Sequence, residues 1–349
     1  MSAVSELPEG HMAGASEQPL ISIRGLAIGF PARDGTALAV HDVSFEAFAG
    51  QTLGIVGESG CGKSLSLRAP LGLVPAPGNV VRGEITWRNG IDLLSLDSTH
   101  MRAIRGREIS MIFQDPLESL NPVFSIGSQL TEVLRTQAGL SRTAARARAI
   151  ELLDRVGIPS AAARMRDFPH QLSGGMRQRV MIAIAIACEP QLLLADEPTT
   201  ALDVTIQDQI LTLLADLQRE SGLSIMLVSH DLGVVAQLAD RVAVMYAGHV
   251  METGPVDRVL SAPRHPYTAA LIASSPEPAG GPAGSRLQTI PGAPPSINDR
   301  LAGCPFAPRC RFATDQCRAV DMRLDNPGGH ASACPVVDVT AKAAHRHGH

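Results

Sequence analysis

Only two of the 30 Lys and Arg residues in this 349-residue sequence are lysines, Lys63 and Lys342. Lys63 lies in the run Gly57-Glu58-Ser59-Gly60-Cys61-Gly62-Lys63-Ser64, which has the spacing G-x-x-x-x-G-K-[ST]. Glycines let a main chain wrap an anion so that successive N–H groups face it, and a helix starting at the end of the run adds the positive end of its dipole. A thin-stemmed ammonium enters a cradle too narrow for a guanidinium, and a hydroxyl after it can bind Mg²⁺. The run therefore reads as a polyphosphate cradle, with Gly57, Ser59, Gly60, Cys61, Gly62, Lys63 and Ser64 as expected contacts.

Two further groups point to the same chemistry. Leu192-Leu193-Leu194-Ala195-Asp196-Glu197 is an apolar strand ending in adjacent carboxylates. In a parallel sheet, ligands sit at the carboxyl ends of strands, so these acids are expected beside the cradle. Asp196 suits the outer shell of Mg²⁺, and Glu197 suits polarising an attacking water. Ser173-Gly174-Gly175, before the apolar run Val180 to Ala187, has the make-up of an N-cap with bare amides, a second anion site.

The elements that must position these residues read as strands over residues 21–30, 43–48, 51–56 and 84–87, followed by a helical insertion over about 115–187. Within the insertion, 141–156 has helical periodicity and a Gly157 stop. A strand over 191–195, a helix over 204–220, a strand over 224–229 and a hairpin over 241–252 follow. That alternation predicts an α/β fold with parallel strands and helical crossovers. Pro70, in the helix after the cradle, predicts a kink or an early end. Residues 1–19 read as disordered, 20–260 as the main domain, 261–337 as a Cys- and Pro-rich extension, and 338–349 as a tail.

Composition narrows the function. A net charge of −4 gives no basic footprint for nucleic acid. The longest apolar run, Val180–Cys188, is too short to cross a bilayer, so the chain is expected to be soluble. No secretory signal is apparent at the start, which predicts a cytoplasmic location with thiols or metal ligands rather than disulfides.

Leu172-Ser173-Gly174-Gly175-Met176-Arg177-Gln178-Arg179 resembles the signature of the ATP-binding cassette (ABC) family. The order of phosphate loop, Gln114, signature, Asp196-Glu197, Ala201-Leu202-Asp203 and Ser229-His230-Asp231 resembles that family over residues 20–255. The resemblance implies an ABC-type core, a RecA-like parallel sheet with an antiparallel β subdomain and a helical subdomain. It implies ATP hydrolysis, with Glu197, His230 and Gln114 catalytic, Gln114 and Ser64 near Mg²⁺, Asp203 at a dimer contact and Phe30 stacking on adenine. It also implies that Ser173, Gly174 and Gly175 complete the ATP site of a second cassette. Phe30 reads equally well as an ordinary core residue, and Cys61 and Cys188 as buried small side chains. Met176, where glutamine is commonest, resembles peptide-importer cassettes.

His265-Pro266-Tyr267-Thr268, Ile290-Pro291-Gly292 and the cysteines after them resemble the C-terminal extension of oligopeptide and dipeptide importer ATPases, with nickel-importer cassettes as close relatives. The resemblance implies a peripheral subunit on the cytoplasmic face of the inner membrane. Its partners would be a second ATPase subunit, copy or paralogue, two permease subunits and, through them, an extracytoplasmic substrate-binding protein. A nickel importer is the alternative; a soluble ABC ATPase acting on DNA or ribosomes would call for coiled-coil arms or tandem cassettes, which are missing. Cys304, Cys310, Cys317 and Cys334, at intervals of five, six and sixteen residues, suit a [4Fe-4S] cluster or tetrahedral Zn²⁺. The lack of tight C-x2-C knuckles favours the cluster, as does the resemblance; unligated thiols remain a third option.

Overall fold

A computed structural model describes residues 18–33, 35–115, 119–200, 202–275, 289–299, 302–324 and 329–336. The expected tails, apart from residues 18 and 19, lie outside these ranges, as do Pro116 and Ala201.

Two sheets carry the fold. The larger runs in the order β11-β10-β9-β3-β8-β7-β6. Its centre is parallel: β6 (Ile109–Ile112), β7 (Leu192–Asp196), β8 (Ser224–Ser229), β3 (Thr52–Val56) and β9 (Arg241–Tyr246). β10 (His249–Pro255) and β11 (Ala331–Ser332) add an antiparallel edge. β3, β7 and β8 are buried at every residue. Covered on both faces, such strands read as unbroken apolar runs rather than as alternations.

The smaller sheet is antiparallel, β2-β1-β4-β5, from β1 (Ile21–Ala32), β2 (Gly35–Ala47), β4 (Asn79–Trp87) and β5 (Ile91–Asp92). Phe45, Ile85 and Trp87 of this sheet share one core with Leu53 and Ile55 of β3 and Leu192 and Leu194 of β7. The sheets are thereby locked face to face around the start of the phosphate loop. Trp87 is fully buried and satisfies its one donor on Glu108 Oε2, 2.8 Å away.

The insertion is helical, with Ile126–Thr136, Arg142–Arg155 and Gly174–Ala185 packed around Leu130, Leu153 and Ile182. Side-chain caps fix where the helices begin. Ser125, Ser141, Ser173 and Asp203 each accept the N–H of the residue three positions on, and each such cap contributes about 1 kcal/mol. Pro70 acts as expected: the helix Lys63–Arg68 stops short of it, and Ala69–Leu71 form a tighter 3-10 turn. The extension packs on β9 through Tyr246, Tyr267, Phe306, Cys304 and Cys317.

Candidate functional site

The phosphate loop links β3 to the helix Lys63–Arg68, and two of its glycines have steric reasons to be glycine. A Cβ on Gly57 would sit 2.0 Å from the Met245 carbonyl oxygen. Gly62, at φ 98°, would place one 2.9 Å from Val40 and 3.0 Å from the Ala39 carbonyl. The loop is thus seated in a slot between β2 and β9. Lys63 is buried, and its Nζ donates to the carbonyls of Gly57 (2.8 Å) and Glu58 (3.1 Å), while Ser59 and Gly60 are exposed.

The carboxylates arrive from β7, where register with β8 pairs Asp196 with Val228. Asp196 is fully buried; its Oδ1 accepts from Ser64 Oγ at 2.6 Å, and its Oδ2 from Arg68 Nη2 at 3.0 Å. A hydroxyl beside a carboxylate is an oxygen donor set that fits a hard cation such as Mg²⁺, as the expectation for Ser64 and, in an outer shell, Asp196 requires. Glu197 follows in the left-handed region, φ 47°. Its Oε2 receives Gln114 Nε2 at 3.2 Å and Thr200 Oγ at 2.8 Å, and lies 3.2 Å from His230 Nδ1. Two expected residues, Gln114 and His230, and the unexpected Thr200 therefore converge on one carboxylate oxygen, next to Asp196 at the end of β7.

The remaining expectations divide. Ser173 caps its helix, and a Cβ on Gly175 would lie 2.6 Å from Ile206 Cγ2, so the signature packs on the helix Val204–Ser221 that Asp203 caps. Among the described residues no hydrogen bond joins Ser173–Gly175 to the phosphate loop. Phe30 lies two residues short of the end of β1, paired with Ala37, and its ring covers Gly78, where a Cβ would be 2.6 Å away. Packing on Gly78 is what a core role would produce; an adenine role rests on its nearness, two positions along β2, to Ala39 behind Gly62. Cys61 is buried as expected, whereas Cys188 is only half-buried because it follows the last turn of its helix.

All six cysteines are unbridged. Burial, with smaller contributions from the other three cysteines, pushes the Cys304 thiol up to about 11. Burial likewise raises Cys310 and Cys334, each with a contribution from Cys317. The four sulfurs are thus near enough to feel one another's charge. Among the described residues, however, no group of three or more His, Cys, Asp or Glu side chains is arranged to hold a metal ion.

Sequence reasoning missed Arg68, Thr200, Tyr267 and Arg309. Thr200 stands three residues past Glu197, close enough for a local signal. Arg68 is one helical turn past Ser64, so helical spacing would have placed both on Asp196. The other two reach the loop from the extension.

Fold and site together define a phosphate-loop ATPase of the ATP-binding cassette type. The family model "ABC transporter" matches residues 40–200, and "Oligopeptide/dipeptide transporter, C-terminal region" matches residues 251–317. A Brucella abortus (strain 2308) protein whose name assigns it to peptide import as an ATP-binding protein is 49% identical over 317 residues, covering 91% of this chain and 95% of its own. A similarly named Brucella melitensis protein is 49% identical over 326 residues, covering 90% and 96%. Among solved structures, the cassette MJ0796 in a dimeric post-hydrolysis state with ADP and Pi has TM-score 0.60 and 28% identity, covering 68% of this chain and 98% of its own. The cbiO1 cassette of Clostridium perfringens has TM-score 0.60 and 28% identity, covering 70% and 92%. The chain belongs to the ATP-binding subunits of the oligopeptide/dipeptide ABC importers. Its reaction is hydrolysis of ATP to ADP and phosphate. Among the described residues no helix is long and apolar enough to cross a membrane.

Proposed function

We propose that this chain energises uptake of oligopeptides or dipeptides as one of two cassettes that close on ATP and reopen after hydrolysis. The observation that carries the reading is the meeting of Gln114, Thr200 and His230 on Glu197, next to the Ser64–Asp196 pair. Within it, Gly57 to Ser64 bind the phosphates, with Lys63 neutralising the outer ones. Glu197 takes the proton of the attacking water, Gln114 and His230 orient that water and the terminal phosphate, and Phe30 stacks on the base. Mg²⁺, once bound by Ser64, Asp196 and Gln114, would draw charge from the phosphate oxygens. Ser173, Gly174, Gly175 and Asp203 face the second cassette.

Residues 20–260 form the ATPase domain and 261–337 the extension. Two permeases dock on the helical insertion at the cytoplasmic face of the membrane, and an extracytoplasmic receptor delivers cargo to them. The resemblance of the extension to that of peptide-importer ATPases, with its four cysteines, is what supports Cys304, Cys310, Cys317 and Cys334 holding a [4Fe-4S] cluster, or Zn²⁺, that orders the extension. Iron and acid-labile sulfide assayed on anaerobically purified protein test that assignment: four of each per chain are expected, and neither iron nor zinc at stoichiometry overturns it. Peptide uptake in cells lacking the gene tests the whole reading. Uptake should fall and return with the parent gene but not with Glu197→Gln, and undiminished uptake would overturn it.

A further inference from the structure

The extension grips the phosphate loop at its second residue. Arg309, 251 positions from Glu58, donates from Nη1 to Glu58 Oε2 at 2.7 Å and from Nη2 to Oε1 at 3.1 Å, fork on fork. Its side chain is 7% exposed. The guanidinium lies 5.7 Å from the Tyr246 ring centroid and 6.0 Å from that of Phe306, and donates to the Tyr246 hydroxyl at 3.1 Å. Its Nε donates to the Pro291 carbonyl at 2.8 Å. Independently, the backbone N–H of Glu58 donates to the Tyr267 hydroxyl at 3.0 Å. Glu58 is thereby held by side chain and main chain at once, both times by residues of the extension.

The position of this grip matters. Gly57 is jammed against Met245, and the carbonyls of Gly57 and Glu58 are the ones Lys63 touches. Whatever fixes Glu58 also fixes the first turn of the cradle and the rest position of the lysine. A bidentate, largely buried ion pair is weak evidence for fold stability, whereas it specifies geometry well. Arg309 closes a single 3-10 turn, Ala307–Arg309, between Cys304 and Cys310, so the order of that turn decides whether the fork is presented.

We propose that Arg309 and Tyr267 are positioning residues for the phosphate loop, so that the C-terminal extension sets part of the affinity for ATP. The inference rests on the reading of this loop as the ATP site. By linkage, binding must act in reverse, and ATP must order the Cys304–Cys310 turn.

The test uses the full chain, with Mg²⁺-ATP as the probe in calorimetric titration. Arg309→Met and Glu58→Ala are each expected to weaken ATP binding about tenfold, the scale of a lost charge-assisted pair. The double variant should bind no more than about threefold more weakly than the worse single, because both remove one interaction. In Arg309→Met, KM should rise with kcat nearly unchanged, and Arg309→Lys should recover part of the loss, which a general loss of structure would not give. Hydrogen exchange at residues 302–310 should slow on ATP addition in the parent and not in Arg309→Met. Binding within twofold of the parent in both single variants, or losses that multiply in the double, overturns the inference. Should Arg309→Met fail to fold, Arg309→Gln paired with Glu58→Ala carries the same cycle, and Tyr267→Phe, which removes only the acceptor of the Glu58 N–H, should weaken ATP binding on its own. Lys63→Ala separates the two levels: if it keeps parent affinity, the loop is not the ATP site, and if it alone loses affinity, only the present inference fails.

Discussion

Replacing Glu197 by Gln removes the charge of the proposed proton acceptor and almost none of its volume. The carboxylate oxygen that meets Gln114, Thr200 and His230 at 3.2, 2.8 and 3.2 Å becomes an amide oxygen that can accept from the same groups. Each contact changes from charge-assisted to neutral, so folding should lose no more than about 1 to 2 kcal/mol. The left-handed backbone at φ 47° is no worse for Gln than for Glu. Positioned general-base catalysis is worth about 10² to 10⁴ in rate, about 3 to 5 kcal/mol of barrier. Turnover should therefore fall at least a hundredfold while ATP affinity stays within about threefold. Phosphate release under saturating ATP, read beside equilibrium ATP binding, measures both. A variant retaining more than about a tenth of the parent rate would refute the assignment, because less than about 1.4 kcal/mol would then depend on the carboxylate.

Other expectations follow from particular contacts. Asp196→Asn removes the charge that Arg68 and Ser64 share, so the Mg²⁺ needed for half-maximal turnover should rise about tenfold in a metal titration; an unchanged requirement would place the cation elsewhere. Gly57→Ala puts a methyl 2.0 Å from the Met245 oxygen, so ATP binding should be abolished even though the protein still folds by circular dichroism; retained binding would show that the loop is loosely seated. His249 is kept neutral, chiefly by burial, with its pKa lowered from 6.5 to about 4. Between those values the unfolded chain takes up a proton that the folded chain does not. The stabilisation is therefore whole above pH 6.5 and falls with acid, by about 2 kcal/mol at pH 5. His249→Phe, which keeps the 4.6 Å stack on His41, should flatten the fall in melting temperature between pH 7 and pH 5; an identical slope would contradict this.

Local signals in the sequence were reliable where one element supplies its own pattern. The strand Ser224–Ser229, the helix from Val204 and the hairpin across Ala247-Gly248 lie where periodicity and turn residues put them. The phosphate loop and the acids at the end of β7 were legible because their chemistry needs particular residues at fixed intervals. β2 was read only from Val43, since Gly35 to Asp42 mixes small and polar residues and becomes a strand by pairing with β1. β6 went unread: four residues, Ile109–Ile112, are too few for a period, and only the register with β7 makes them a strand. Arg309 was illegible for another reason, because its partner is 251 positions away and no spacing links them. Tyr267 and Glu252 are similar: Glu252 Oε1 and Oε2 accept the N–H groups of Arg264 and His265, fastening the extension to β10 through contacts that only the folded chain creates.

The central claim is that a triphosphate is gripped by the loop that ends in Lys63. Steady-state ATP hydrolysis by the assembled transporter carrying Lys63→Ala tests it most directly. Loss of the buried Lys63 ammonium at the loop should lower the rate at least about a hundredfold, as expected for removing a charge that stabilises the transition state. Hydrolysis at the parent rate would contradict the account.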